Sequence, residues 1–189
     1  QNQSSAASDV YKRQIKNALT ANEASKTLDL LWDYLENLGT GIDRTNPLTW
    51  SDDKWPTCAH GGIIPSYGIG HSEAQWFVRG VPNVKKAFAK VWETNDLLTS
   101  FDGVSLWRPW NIDPSWKTQS GQAWFHIDQH PISKPGKQCI QGLINLLPTS
   151  KEIGGNVVIP KSHNFFKDIP EEYKERVCLL YTSPSPRDF

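Results

Sequence analysis

Trp124-Phe125-His126-Ile127-Asp128-Gln129-His130-Pro131 is the stretch on which the reading of this chain turns. In an extended segment, residues two apart share a face, so His126 and Asp128 project together. A neutral imidazole and a carboxylate side by side on a rigid strand make two-thirds of a facial triad. A further histidine later in the chain completes such sites, and the remaining positions on iron(II) stay open for a cosubstrate and dioxygen. Taken alone, the H-x-D triplet is common by chance and more often describes an ordinary hydrogen-bonded pair at a strand end. Its surroundings have to decide.

Downstream, Gln138–Leu147 reads as a strand with Gln141, Leu143 and Asn145 on one face and Ile140, Gly142 and Ile144 on the other. Gln141 and Asn145 are polar on an otherwise apolar strand, and a buried amide needs a partner. Either they face a bound small molecule or they make structural hydrogen bonds. Gly154-Gly155 opens a short strand over 156–159, and Pro160-Lys161-Ser162-His163 terminates it. Asp168-Ile169-Pro170-Glu171 has the grammar of a helix start.

Upstream, Leu28, Leu31, Leu35 and Leu38 recur at three and four, which predicts an amphipathic helix over 24–38. Thr20 and Glu23 form a capping-box signature at its start, and Gly39 stands where a C-terminal cap would. Residues 40–58 carry Gly41, Asn46, Pro47 and Pro56 and are expected to be irregular, with Trp50 and Trp55 as packing anchors. A short helix is expected from His71, and a second amphipathic one after Pro82 through Val84, Phe88, Val91 and Trp92. Leu97–Trp107 reads as strand material with a turn at Asp102-Gly103, and residues 113–121 as polar and irregular. Helices first and strands after imply an α+β layout, with helices packed on a mostly antiparallel sheet.

Both ends stand apart from the rest. Asp9–Gln14 can be encoded by a DNA segment whose opposite strand, one base out of frame, reads Cys-Leu-Leu-Tyr-Thr-Ser, the residues at 178–183. Such a relation is hard to explain by protein selection, and both segments resemble translated sequencing adapters; the alternative is a natural polar N-terminal arm and a Pro/Ser-rich tail. The expected organisation is therefore an adapter-like segment at 1–14, a partial domain at 15–177 and an adapter-like tail at 178–189.

With 20 basic and 20 acidic residues, the chain carries no charge bias toward nucleic acid or an anionic membrane. No apolar run reaches the roughly 18 residues that span a bilayer. The compartment is taken as cytoplasmic by default, and the oligomeric state is open. Three cysteines, Cys58, Cys139 and Cys178, form neither a ligand cluster nor a disulfide scaffold. Nine tryptophans against no methionine hint at an aromatic-lined interior without naming a ligand.

WFHIDQHP at 124–131, QGLINLLP at 141–148 and GGNVVIPKSH at 154–163, in that order and spacing, resemble the phytanoyl-CoA dioxygenase family of iron(II)/2-oxoglutarate oxygenases. The run from Gly68 to Pro109 resembles uncharacterised members of the same family. The resemblance implies a double-stranded β-helix, a jelly roll of antiparallel strands with N-terminal packing helices, and its C-terminal strands missing from this chain. It implies Fe(II) and 2-oxoglutarate as cofactors, with a C–H bond of a small organic or acyl substrate hydroxylated. His126 and Asp128 match the first two iron ligands, and Gln141 and Asn145 fall on the strand lining the cosubstrate pocket. The family's G-G-x-V-x-x-P-x-S-H turn makes His163 a structural residue, which places the third ligand beyond Val177. His130 is expected to be a pocket or surface residue. Arg79 and Arg108 suit either the barrel mouth or surface ion pairs, while Arg176 lies on a solvated helix face. A chain lacking one ligand is expected to be a poor enzyme. The alternative is a non-catalytic jelly-roll binding module with a relic metal site.

Overall fold

Thr20 fixes where regular structure begins. Its extended backbone (φ −72°, ψ 163°) cannot continue the helix, and its hydroxyl accepts from the Glu23 N–H at 3.2 Å. The Glu23 carboxylate in turn accepts from the Thr20 N–H at 2.7 Å, closing the capping box. Hydrogen bonds donated to the Glu23 carboxylate, first by the Thr20 N–H and then by the Thr20 hydroxyl at 2.8 Å, hold that carboxyl below its ordinary value. Helix α1 therefore spans Ala21–Glu36, starting and ending earlier than its leucine spacing alone predicts. It stops at Glu36 because the N–H groups of Leu38 and Gly39 turn back to the carbonyls of Leu35 and Glu36, both at 3.3 Å. Gly39 takes a φ of +73°, a conformation glycine adopts without cost.

The computed structural model describes residues 14–59, 61–117, 128–129, 134, 136–138, 140–150, 159, 161 and 164. The chain divides into two compact units, residues 17–123 and residues 1–16 with 124–189.

In the first unit, α1 buries Thr27, Leu31 and Leu35. Leu35 joins Ile42, Trp55, Ile64 and Ile69 in a core flanked by Trp32, Trp50, Val104 and Leu106. Fully burying each of Leu35, Ile64 and Ile69 contributes about 1.5–3 kcal/mol. Trp32, Trp50 and Trp55 pack as a ring cluster, with centroids 5.1, 6.3 and 6.4 Å apart. Of the two anchors expected in the irregular 40–58 stretch, Trp55 thus sits in the core and Trp50 packs against it. On the opposite face of α1, Arg44 folds back from the loop to bond Asp33 and, at 2.7 Å, Glu36. Hydrogen bonds from Arg44 hold the Glu36 carboxyl below its usual range.

Strand β1 (Ile63–Ile64) pairs antiparallel with β2 (Val104–Ser105), in the register Ile63↔Ser105 and Ile64↔Val104. Only these two residues of the predicted 97–107 strand are in a strand. Leu98 is wholly exposed, and residues 97–103 have no strand partner among the described residues. The register depends on missing side chains. A Cβ on Gly62 would lie 2.3 Å from the Trp107 ring, and one on Gly103 would lie 2.6 Å from the Ile64 carbonyl. Two glycines let the segments touch where any larger residue would hold them apart.

Helix α2 (Glu73–Gly80) starts two residues later than expected, because Ser72 is the cap and Ile69–His71 form a 3-10 turn before it. Its Phe77 ring receives Lys26 Nζ of α1 at 4.5 Å from the centroid. Val81 alone separates α2 from α3 (Pro82–Trp92), whose first position is a proline, where its missing N–H has no helical partner to lose. Asp113 caps a further 3-10 turn over Pro114–Trp116 in the stretch expected to be irregular.

In the second unit, Asp128 and Gln129 lie in a bend, and residues 140–150 belong to no assigned strand. The exposure of 140–147 still alternates in part: Ile144 and Leu146 are half-buried, while Leu143, Asn145 and Leu147 are exposed. That is the parity of an extended segment without a hydrogen-bonded neighbour among the described residues. Asn164 N–H donates to the Lys161 carbonyl at 3.0 Å, with Lys161 at a φ of 62°, so the chain turns here as the proline-led motif predicts. The strands expected to carry His126 and to span 156–158, the helix start at 168–171, and both terminal segments but for Gln14 lie outside the described residues.

Candidate metal centre

Of the two nominated ligands, Asp128 is described and His126 lies outside the described residues. Asp128 is exposed, so its carboxylate can be reached by an ion from solution. In donor chemistry the pair suits iron(II), which takes nitrogen and oxygen ligands together. No group of three His, Cys, Asp or Glu side chains able to hold a metal occurs among the described residues. His130, His163 and Arg176 also lie outside them.

The residue after Asp128 makes three side-chain hydrogen bonds. Gln129 Nε2 donates to the carbonyls of Lys134 and Gly136, each at 2.5 Å. Its Oε1 accepts from the Gln138 N–H at 3.3 Å. One carboxamide thereby gathers three backbone groups of the loop that follows the H-x-D pair. Gly136 has a φ of 79°, where a side chain would be strained. Sequence reasoning passed over Gln129. The only cue was turn chemistry, Pro131 and Gly136, downstream of a polar residue, and that does not say which carbonyls an amide will meet.

Gln141 and Asn145 are both exposed, not buried as their strand reading supposed. Asn145 Nδ2 lies 3.4 Å from Thr149 Oγ1, a long bond between neighbours. Both amides fall on the exposed side of the 140–147 segment together with Leu143.

The two arginines weighed for the barrel mouth differ within the first unit. Arg108 makes a surface ion pair, with Nη2 2.5 Å from Asp52 and Nη1 donating to the Trp50 carbonyl at 2.6 Å. Its guanidinium also lies over the Trp55 and Trp116 rings, at 5.5 and 4.6 Å. A planar cation held this way ties the residues after β2 to the tryptophan cluster. Arg79 donates to the Gly70 carbonyl at 2.6 Å and lies 5.4 Å from the Trp76 ring centroid. Burial pushes its pKa down, countered in part by Asp102. Cys58 is partly buried, which raises its thiol pKa and leaves it the packing role of a small hydrophobe.

Among the described residues, no helix is long and apolar enough to cross a membrane. Over 161 aligned positions the chain is 33% identical to Ava biosynthesis cluster protein O of Aspergillus versicolor, covering 85% of the chain and 50% of that protein. It is 27% identical over 207 aligned positions to a Dictyostelium discoideum protein named "Putative phytanoyl-CoA dioxygenase", covering 90% of the chain and 56% of that protein. The chain thus spans about half the length of the curated relatives it matches. No family model and no solved structure matches it. The second likeness supports the phytanoyl-CoA dioxygenase-like resemblance drawn from the three motifs.

Proposed function

We propose that this chain is part of an iron(II)- and 2-oxoglutarate-dependent dioxygenase that hydroxylates a small organic or acyl substrate. One observation carries the reading. The His126-x-Asp128 pair stands in a chain 90% of which aligns with the Dictyostelium discoideum protein named "Putative phytanoyl-CoA dioxygenase". The fold proposed with it is α+β, a double-stranded β-helix preceded by α1, α2 and α3.

Iron(II) and 2-oxoglutarate, when bound, supply the oxidising power, with dioxygen consumed and succinate and carbon dioxide released. The chain's residues hold and orient. His126 would offer a neutral nitrogen and Asp128 an anionic oxygen to hold the iron. Gln141 and Asn145, on one side of their extended segment, each present a carboxamide N–H pair suited to a carboxylate oxygen of the cosubstrate.

The test is an anaerobic Fe(II) titration of the full chain, followed by 2-oxoglutarate, by calorimetry. Wild type is expected to bind both in that order, and His126→Ala and Asp128→Ala to weaken Fe(II) binding by more than about 100-fold. Unchanged Fe(II) affinity in both variants would remove the metal centre. Oxoacid binding indifferent to the metal would favour a plain binding module.

A further inference from the structure

We infer that Gln129 is a positioning residue for Asp128, a role that rests on the metal site proposed above. The geometry is specific. A carboxamide has two N–H donors and an oxygen with two lone pairs, and Gln129 uses both donors and one lone pair. All three partners are backbone groups, at Lys134, Gly136 and Gln138, so the arrangement does not depend on the identity of other side chains.

A strand ladder would orient Asp128 through its neighbours' backbone. Here Asp128 and Gln129 lie in a bend instead. The Gln129 side chain is anchored at its far end, which restrains the Gln129 Cα and therefore the peptide unit that joins it to Asp128. Fixing that peptide sets the direction of the Asp128 Cα–Cβ bond. A metal ligand has to be held to within roughly half an ångström of its working position, and groups that orient ligands typically account for 10- to 100-fold of metal affinity. An amide closing the loop beside the carboxylate is placed to do this.

The experiment measures Mn(II) binding to the full chain through loss of the aqueous Mn(II) resonance, alongside thermal unfolding by circular dichroism. Wild type is expected to bind, and Asp128→Ala to abolish binding. Gln129→Leu keeps the bulk and removes all three bonds, and its Mn(II) affinity should fall roughly 10- to 100-fold with its helical signal intact. Gln129→Glu keeps the acceptor for Gln138 but loses both donors, and should fall in the same range. Gln138→Pro removes the N–H that Oε1 accepts and should weaken binding roughly 2- to 10-fold, read against Gln138→Ala, which keeps that N–H and controls for loss of the side chain, a graded check should Gln129→Leu fail to fold. Gly62→Ala, in the other unit, lowers the unfolding midpoint and should leave Mn(II) affinity unchanged. Wild-type affinity in folded Gln129→Leu or Gln129→Glu overturns the positioning role while leaving the metal site standing. So does a loss that Gly62→Ala matches at equal destabilisation. A wild-type chain that binds no Mn(II) removes the metal site and this role together.

Discussion

In residues 17–117, Leu35, Ile64 and Ile69 are sealed from water, with exposures of 2%, 0% and 1%. In the other unit, Leu143, Leu147 and Ile159 stand 57%, 60% and 51% exposed. The first region closes on itself because its elements satisfy each other. Capped helices supply their own hydrogen bonds, a tryptophan cluster fills the space beside α1, and two glycines admit a close strand pair. Residues 140–150 alternate in exposure in part but have no ladder among the described residues; Asn145 bonds Thr149 within them, and Gln129 gathers the loop before them. A helix can be completed locally; a strand is only half an element until a neighbour supplies the other half of its hydrogen bonds.

That contrast is open to measurement. Leu35→Ala should cost about 2–5 kcal/mol in chemical unfolding, because it opens a cavity against Ile42 and Trp55. Leu143→Ala should change stability by under about 0.5 kcal/mol. Equal costs at the two sites would mean that the exposed apolar face is covered in solution and that the contrast is false.

Gly62→Ala comes next, expected to cost about 1–3 kcal/mol as the new Cβ displaces the Trp107 ring. Tryptophan fluorescence would register the displacement along with the shift in unfolding. A neutral outcome would show that β1 and β2 do not depend on this approach.

The smallest effect concerns pH. The folded-state pKa of Glu36 lies below its ordinary 4.5, chiefly through hydrogen bonds from Arg44. A depressed carboxyl stabilises the fold above its unfolded pKa, and that contribution is lost as pH falls through the folded pKa. Thermal midpoints should therefore decline as the solution is acidified below about pH 4.5, and Glu36→Gln should make the decline shallower. Identical slopes would show that the Arg44 contact gives α1 no pH-dependent support.

Much of the first unit was legible in its residues. Thr20 and Glu23 announced the cap, the leucine spacing gave α1, Pro82 opened α3, and Trp50 and Trp55 read correctly as anchors. Leu97–Gly103 was misread, since apolar β-formers promise a strand only if an edge is there to receive them. The pairing partner, Ile63–Ile64 in a glycine-rich stretch, carried no strand signal, because its selection depends on the fit of Trp107 over Gly62. For the site, the sequence nominated Asp128 and passed over Gln129.

The sequence by itself determined that the helices exist, the capping box of α1 and the chemical type of the donors in the H-x-D pair. Helical bonds and donor chemistry are local properties, settled within a few residues. Only the tertiary structure decided that Arg108 would be held between Asp52 and two indoles, that α1 would be capped on one face by Arg44, and that one glutamine amide would gather the loop after Asp128. Those contacts join residues brought together by packing, and the distance along the chain between Trp50 and Arg108 carries no record of them.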